Sequence, residues 1–142
     1  MCGIAGLLMA PGRPLNEGAA AAMTDALIRR GPDARGLFGD VEAGIALGHR
    51  RLAIVDLTPT GAQPMTSASG RHVIVFNGEI YNFRDLRRDL EAAGVGPWRG
   101  TSDTEVLLNG IERWGVEDML RRCDGMFAFA LWDRKERTLS LA

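Results

Sequence analysis

Cys2 directly follows the initiator methionine, in the run Met1-Cys2-Gly3-Ile4-Ala5-Gly6. Removal of Met1 leaves a thiol and a free α-amine on one residue. The thiolate is the attacking form of cysteine. An N-terminal amine takes the proton from its own side chain, as it does for N-terminal threonine nucleophiles. Such an amine is partly unprotonated near neutral pH, so no histidine is needed as base. With Met1 retained the nitrogen is an amide and the base is lost. A small second residue permits the processing. In isolation, Cys2 also reads as a small apolar residue in a strand.

Acyl transfer further requires donors for the oxyanion. Asn77-Gly78 follows an apolar stretch, so a side-chain NH2 and a backbone N–H are able to point into one pocket. The same dipeptide alone is a strong hairpin-turn signal. Arg51 is suited to grip a carboxylate with two parallel hydrogen bonds, or to lie on the surface. Asp103 is suited to hold an ammonium, or to complement the dipole at the first position of a helix. Glu79 is either a site residue or an exposed strand end. His49 and His72 both fall in expected strands, and neither is assigned as general base. No metal-ligand spacing is present, and no Gly-rich phosphate loop of the Ser-Gly-Gly-x-Asp-Ser kind.

The elements that must position these groups follow from pattern and punctuation. Residues 4–9 read as a strand, broken by Pro11-Gly12 and Pro14. Asn16 is a helix N-cap with Glu17 in the first turn, and Met23, Leu27 and Ile28 are expected to form the buried stripe before a stop at Arg30. Residues 36–39 and 43–48 are short expected strands, as are residues 51–55 with the run Leu52-Ala53-Ile54-Val55. Residues 57–70 read as a long loop, and 73–76 as a continuous apolar strand ended by Asn77-Gly78.

Asn82 starts a helix with Asp85 three residues on, Leu86 and Leu90 on its apolar side and Gly94 at its end. After a loop carrying Pro97 and Trp98, Ser102 and Glu105 form a capping box. The helix behind it buries Leu107, Ile111 and Trp114 up to Gly115. Residues 116–122 are a further short helix. Residues 126–132 are apolar without alternation, which predicts a strand covered on both faces. Residues 133–137 are a charged turn, and 138–142 begin a partner strand.

The chain has 142 residues, 46% hydrophobic and 25% charged, as expected of one soluble domain with a real core. Seventeen Lys and Arg against 18 Asp and Glu give a net charge of −1, which argues against nucleic-acid binding through bulk positive charge. The arginine pairs, Arg50-Arg51 among them, are expected on solvated faces. No apolar run is long enough for a membrane span, and no secretory signal opens the chain. Two cysteines make no disulfide framework, which points to a reducing cytoplasmic setting. Cys123 reads as a small buried residue.

The ordered set of motifs closely resembles the glutaminase domain of class II glutamine amidotransferases. Its parts are Met1 to Gly6, Arg30-Gly31-Pro32-Asp33, Gly48-His49-Arg50-Arg51-Leu52-Ala53-Ile54-Val55-Asp56, Phe76-Asn77-Gly78-Glu79-Ile80-Tyr81-Asn82, Ser102-Asp103-Thr104-Glu105, and the segment from Asp124 to Asp133. Asn77 to Asn82 is similar to the glutamine-hydrolysing asparagine synthetase branch in particular.

The resemblance implies an α+β N-terminal-nucleophile hydrolase fold, a four-layer αββα sandwich. It implies that Cys2 attacks the side-chain amide of glutamine, with Asn77 and Gly78 as the oxyanion hole. Arg51 is implied to bind the α-carboxylate and Asp103 the α-amine, while Glu79 and the backbone from Leu52 through Ile54 to Val55 line the pocket. Arg29 stands where relatives often have His. Family members continue beyond Ala142 with further strands and an ATP-using synthetase domain, so the chain reads as the N-terminal part of a longer enzyme.

No cofactor is expected in this domain, and ATP and Mg belong only to the linked synthetase domain. The expected partners are glutamine and that covalently linked domain, with no nucleic acid and no membrane. The oligomeric state is open, a homodimer among the options. Two alternatives remain: the same glutaminase chemistry serving a sugar, peptide or antibiotic acceptor, or an inactive binding module.

Overall fold

In the computed structural model, which describes residues 1–142, strand β3 (Ile45–Arg51) lies at the centre of a three-stranded antiparallel sheet. Its neighbours are β1 (Gly3–Leu8) and β2 (Ala34–Asp40). Side chains alternate along a strand, and β3 uses both faces. Ile45 and Leu47 enter a buried cluster with Val73, Val75, Ala130 and Trp132 of a second sheet. His49, next on that face, reaches the same sheet through the Phe76 carbonyl. On the other face, Gly48 lies under Thr24 of helix α1 (Glu17–Ala26) so closely that a Cβ there would collide with the threonine hydroxyl.

The second sheet is also antiparallel, in the order β4 (Met65–Thr66), β5 (His72–Ile80), β6 (Gly125–Asp133), β7 (Thr138–Leu141). Three helices cover its outer face: α2 (Phe83–Ala92), α3 (Asp103–Trp114) and α4 (Val116–Arg122). The larger buried cluster fills that interface. Ile74, Phe76, Phe129 and Leu131 from the strands meet Leu86, Leu90, Val106, Leu107, Ile111 and Met119 from the helices. The layers are therefore helix, sheet, sheet, helix, the α+β sandwich expected from the motifs.

Helix ends follow local chemistry. Asn16 Oδ1 accepts from the Ala19 N–H at 2.9 Å, and Ser102 Oγ accepts from the Glu105 N–H at 3.2 Å. Each such cap contributes about 1 kcal/mol. Only half of the expected capping box forms, because the Glu105 carboxylate instead accepts from the Arg99 and Gly100 N–H groups at 2.8 and 2.9 Å. Asn82 occupies the N-cap position of α2, but its side chain makes no capping bond. Its side chain spans to the junction of α4 and β6, donating to the Arg122 carbonyl at 2.8 Å and accepting from the Asp124 N–H at 2.9 Å.

Several expectations are corrected. Helix α1 ends at Ala26, not at Arg30, and buries Ala20 and Thr24, while Met23 and Ile28 are exposed. The reason is close packing on Gly48, which admits only small side chains. Strand β3 runs through Arg51, and residues 52–55 are not a strand. Strand β5 does not end at Asn77-Gly78 but continues to Ile80, held by its register with β6: Asn77 opposite Ala128 and Gly78 opposite Phe127. The loop of residues 57–70 contains a 3-10 turn (Pro59–Gly61) and the short strand β4. Of β6, only the half from Phe129 onward is covered on both faces, and Met126 is exposed. Arg50 is buried rather than solvated, and its Nε donates to the Gly31 carbonyl at 3.0 Å. Trp114 and Cys123 are only half-buried, and burial pushes the Cys123 thiol up to about 11.

Candidate active site

Strand register brings the chain start to its partners. Gly3 pairs with Arg50, so Cys2, one residue earlier, lies level with Arg51 at the end of β3. The Cys2 Sγ accepts from the Leu52 N–H at 3.4 Å and stands 3.6 Å from the Leu52 carbonyl, which the thiol hydrogen reaches. Arg30 Nε donates to the Cys2 carbonyl at 3.1 Å. The Asp33 N–H donates to the Arg51 carbonyl at 3.0 Å, and Asp33 Oδ2 accepts from the Ala53 N–H at 2.8 Å. Gly31 lies so close to the Arg50 backbone that a Cβ would collide with it. Residues 30–33 thus clamp both the peptide of the nucleophile and the segment facing its sulfur.

The opposite wall comes from β5 and α3. Val73 and Val75 point between the sheets, so alternation turns Asn77 the same way, at the open end of that space. Asn77 Oδ1 is buried without a hydrogen-bond partner. Gly78, with φ +157°, lies against the backbone of Met126 and Phe127 so closely that any Cβ would collide. Asp103, the first residue of α3, is buried, its Oδ2 accepting from the Ile80 N–H at 3.1 Å and its Oδ1 from the Thr104 N–H at 2.8 Å. A cavity of about 160 Å³ lies between the walls, and every residue assigned to the site from sequence lines it: Cys2, Arg51, Leu52, Ile54, Val55, Asn77, Gly78, Glu79 and Asp103.

A family model for the glutamine amidotransferase domain matches residues 1–142. The chain belongs to this family. An asparagine synthetase (glutamine-hydrolysing) of Bacillus subtilis is 45% identical over 122 residues, covering 84% of this chain and 19% of that protein. A second asparagine synthetase of the same organism is 40% identical, covering 82% and 18%. Among solved structures, the glutamine phosphoribosylpyrophosphate amidotransferase of B. subtilis superposes with a TM-score of 0.56 at 27% identity, covering 69% of this chain and 23% of that one. The chain thus spans about a fifth of the length of the curated relatives it matches.

Electrostatics in this amidotransferase domain divide the cavity. Burial pushes the Asp103 carboxyl above the usual carboxylate range, and the nearby Glu79 charge pushes it the same way, against hydrogen bonds from Ile80 and Thr104. Arg51 reaches the cavity with part of its guanidinium engaged, Nη1 donating to the Thr58 carbonyl at 2.9 Å and Nη2 to the Asp56 carbonyl. Neither histidine lines the cavity. His49 is sealed between the sheets with Nε2 3.1 Å from the Phe76 carbonyl. His72 stands between Glu112, 3.3 Å from Nδ1, and Asp133, 3.4 Å from Nε2. No group of three His, Cys, Asp or Glu side chains is placed to hold a metal ion, and no helix is long and apolar enough to cross a membrane.

Sequence reasoning missed part of the wall. Asp56, Gly61, Gln63, Phe76, Tyr81, Ser102, Thr104 and Met126 also line the cavity. Gln63 has a structural task there: its Oε1 accepts from the Phe76 N–H at 2.6 Å, and its Nε2 donates to Thr104 Oγ1 at 3.3 Å. The two-residue strand β4 pairs only with Val73 and Ile74, so the glutamine side chain satisfies the β5 backbone where β4 has stopped. Nothing local to Gln63 announces this. Tyr81 and Asp56, by contrast, stand inside motifs already singled out.

Proposed function

We propose that this amidotransferase domain hydrolyses glutamine with Cys2 as an N-terminal nucleophile. With Met1 removed, the free α-amine takes the thiol proton, and the sulfur attacks the side-chain amide carbon. The carbonyl oxygen becomes an oxyanion held by the Asn77 side-chain NH2 and the Gly78 N–H. Collapse breaks the C–N bond, and the ammonium returns its proton to the leaving nitrogen, releasing ammonia and a thioester. Water, deprotonated by the same amine, then attacks the thioester to give glutamate and the free thiol. Arg51 binds the substrate α-carboxylate and Asp103 its α-ammonium.

The single observation that carries this reading is the placement of Cys2 with Asn77-Gly78, Arg51 and Asp103 on the walls of one cavity. The asparagine synthetases, at 40–45% identity, are nearer in sequence than the phosphoribosylpyrophosphate amidotransferase at 27%. That ordering favours delivery of the ammonia to activated aspartate, in a linked synthetase domain that uses ATP and Mg. The test uses the complete product of the open reading frame. Wild-type protein should release ammonia from glutamine and be labelled on Cys2 by a diazo-ketone glutamine analogue, and Cys2→Ala should do neither. Equal ammonia release from both proteins, or labelling elsewhere, refutes the assignment.

A further inference from the structure

Asp56 has no part in the mechanism above, yet it is only 4% exposed and its carboxylate is the hub of the loop that follows β3. Oδ1 accepts from the Thr58 N–H at 2.8 Å and from Thr58 Oγ1 at 2.6 Å. Oδ2 accepts from Thr60 Oγ1 at 2.9 Å and from the Thr101 N–H at 3.1 Å. Burial alone pushes this carboxyl upward, but the Thr58, Thr101 and Thr60 donors outweigh it and hold the group well below the usual carboxylate range. The charge is therefore present under working conditions.

These bonds fold the chain so that two carbonyls, Asp56 O and Thr58 O, face Arg51. Nη2 and Nη1 of the guanidinium donate to them. Two glycines close the same hub. A Cβ on Gly61 would strike Arg51 Nη2, and one on Gly100 would strike Thr60 Oγ1 and Asp56 Oδ2. A chain of contacts therefore runs from the carboxylate, through the turn, to the guanidinium at the cavity. A flexible arginine loses rotamer freedom when it binds, and prior anchoring removes much of that cost.

We propose that Asp56 is a positioning residue that fixes the Arg51 guanidinium for an α-carboxylate and so sets selectivity for amides of α-amino acids. This rests on the reading of Arg51 given under the proposed function. A carboxylate suits the role because it accepts at both oxygens. An asparagine has a single acceptor oxygen, so its NH2 must face the N–H of either Thr58 or Thr101, and that bond of the turn is lost.

The test compares glutamine with 4-aminobutanamide, which keeps the side-chain amide and the amine but lacks the α-carboxylate. Both are assayed on one preparation of the full-length protein, so an inactive fraction cancels in the ratio of their kcat/KM values. Asp56→Asn should lower the glutamine-to-analogue ratio about tenfold, as expected for one disturbed charged hydrogen bond, with the loss in the KM for glutamine rather than in kcat. Thr60→Val removes a single donor, and should lower the ratio about threefold with the fold kept. An unchanged ratio in either folded variant overturns the proposal. Arg51→Lys separates the two ideas. If it collapses the ratio while the Asp56 and Thr60 variants match wild type, only the Asp56 proposal falls. If it too leaves the ratio unchanged, the carboxylate-binding reading of Arg51 falls with it.

Discussion

Replacing His49 with glutamine tests both how the two sheets are joined and what the histidine does not do. The imidazole is 1% exposed, and Nε2 donates to the Phe76 carbonyl at 3.1 Å, one residue before Asn77. Burial lowers its pKa from 6.5 to about 4, with the bond to Phe76 opposing and the Arg51 charge assisting. The unfolded chain therefore takes up a proton as pH falls through 6.5, whereas the folded protein resists until about 4. Stability from this group is complete above pH 6.5 and is lost progressively down to about 4. At about 1.4 kcal/mol per tenfold in affinity for the proton, the loss is about 3 kcal/mol. A glutamine side chain donates the same bond and does not titrate. Urea unfolding of both proteins across this range should show the wild type losing about 3 kcal/mol more than His49→Gln on acidification. Parallel pH profiles would refute the buried neutral imidazole. Glutaminase activity of the variant should stay within about tenfold of wild type, because the proposed mechanism gives the base role to the α-amine of Cys2. A loss as deep as that of Cys2→Ala in a folded variant would refute that expectation.

Two other perturbations address the cavity walls. Gly78→Ala should cost about 1–3 kcal/mol in urea unfolding and slow alkylation of Cys2, because the new methyl group drives β5 off the Met126–Phe127 backbone; a variant of wild-type stability and reactivity contradicts that close approach. Asp103 has its carboxyl raised by burial, so it becomes neutral on the acid side sooner than an ordinary aspartate. Its native state then binds the proton more tightly than the unfolded chain, so this group favours folding at low pH and opposes it as pH rises. Under the proposed role, in which Asp103 holds the substrate α-ammonium, glutamine capture runs the other way. The kcat/KM for glutamine should fall as pH drops through the raised value, and Asp103→Asn should be low throughout and lack that limb; an unaltered limb in the variant assigns it to another group.

Much of the site was legible because it depends on residue type and order. Cys2, Arg51, Asn77-Gly78 and Asp103, singled out by type and order, all line the one cavity, and Ser102, Gly115 and the apolar spacing between them mark the bounds of helices α3 and α4. Local rules failed where distant partners decide conformation. Asn77-Gly78 has turn chemistry, but nine register pairs from His72 to Ile80 hold it inside a strand. Leu52-Ala53-Ile54-Val55 has strand composition, but Asp33 and Cys2 take the Ala53 and Leu52 N–H groups that a ladder would need, and Ile54 is left 67% exposed. Of the expected apolar stripe, Leu27 and Ile28 fall beyond the end of α1 and Met23 is exposed, whereas Ala20 and Thr24 are buried, with Thr24 set against Gly48. Gln63 substitutes for a missing strand, a task that no neighbouring residue signals.

The bond between Leu52 and the nucleophile has a genetic consequence. The donor to Cys2 Sγ belongs to the polypeptide backbone, so any amino acid except proline at position 52 supplies it. An alanine scan passes over this interaction in silence, and evolution is free to vary the side chain there without touching it. Only exchange of that amide for an ester, by chemical protein synthesis, deletes the hydrogen while leaving every side chain in place.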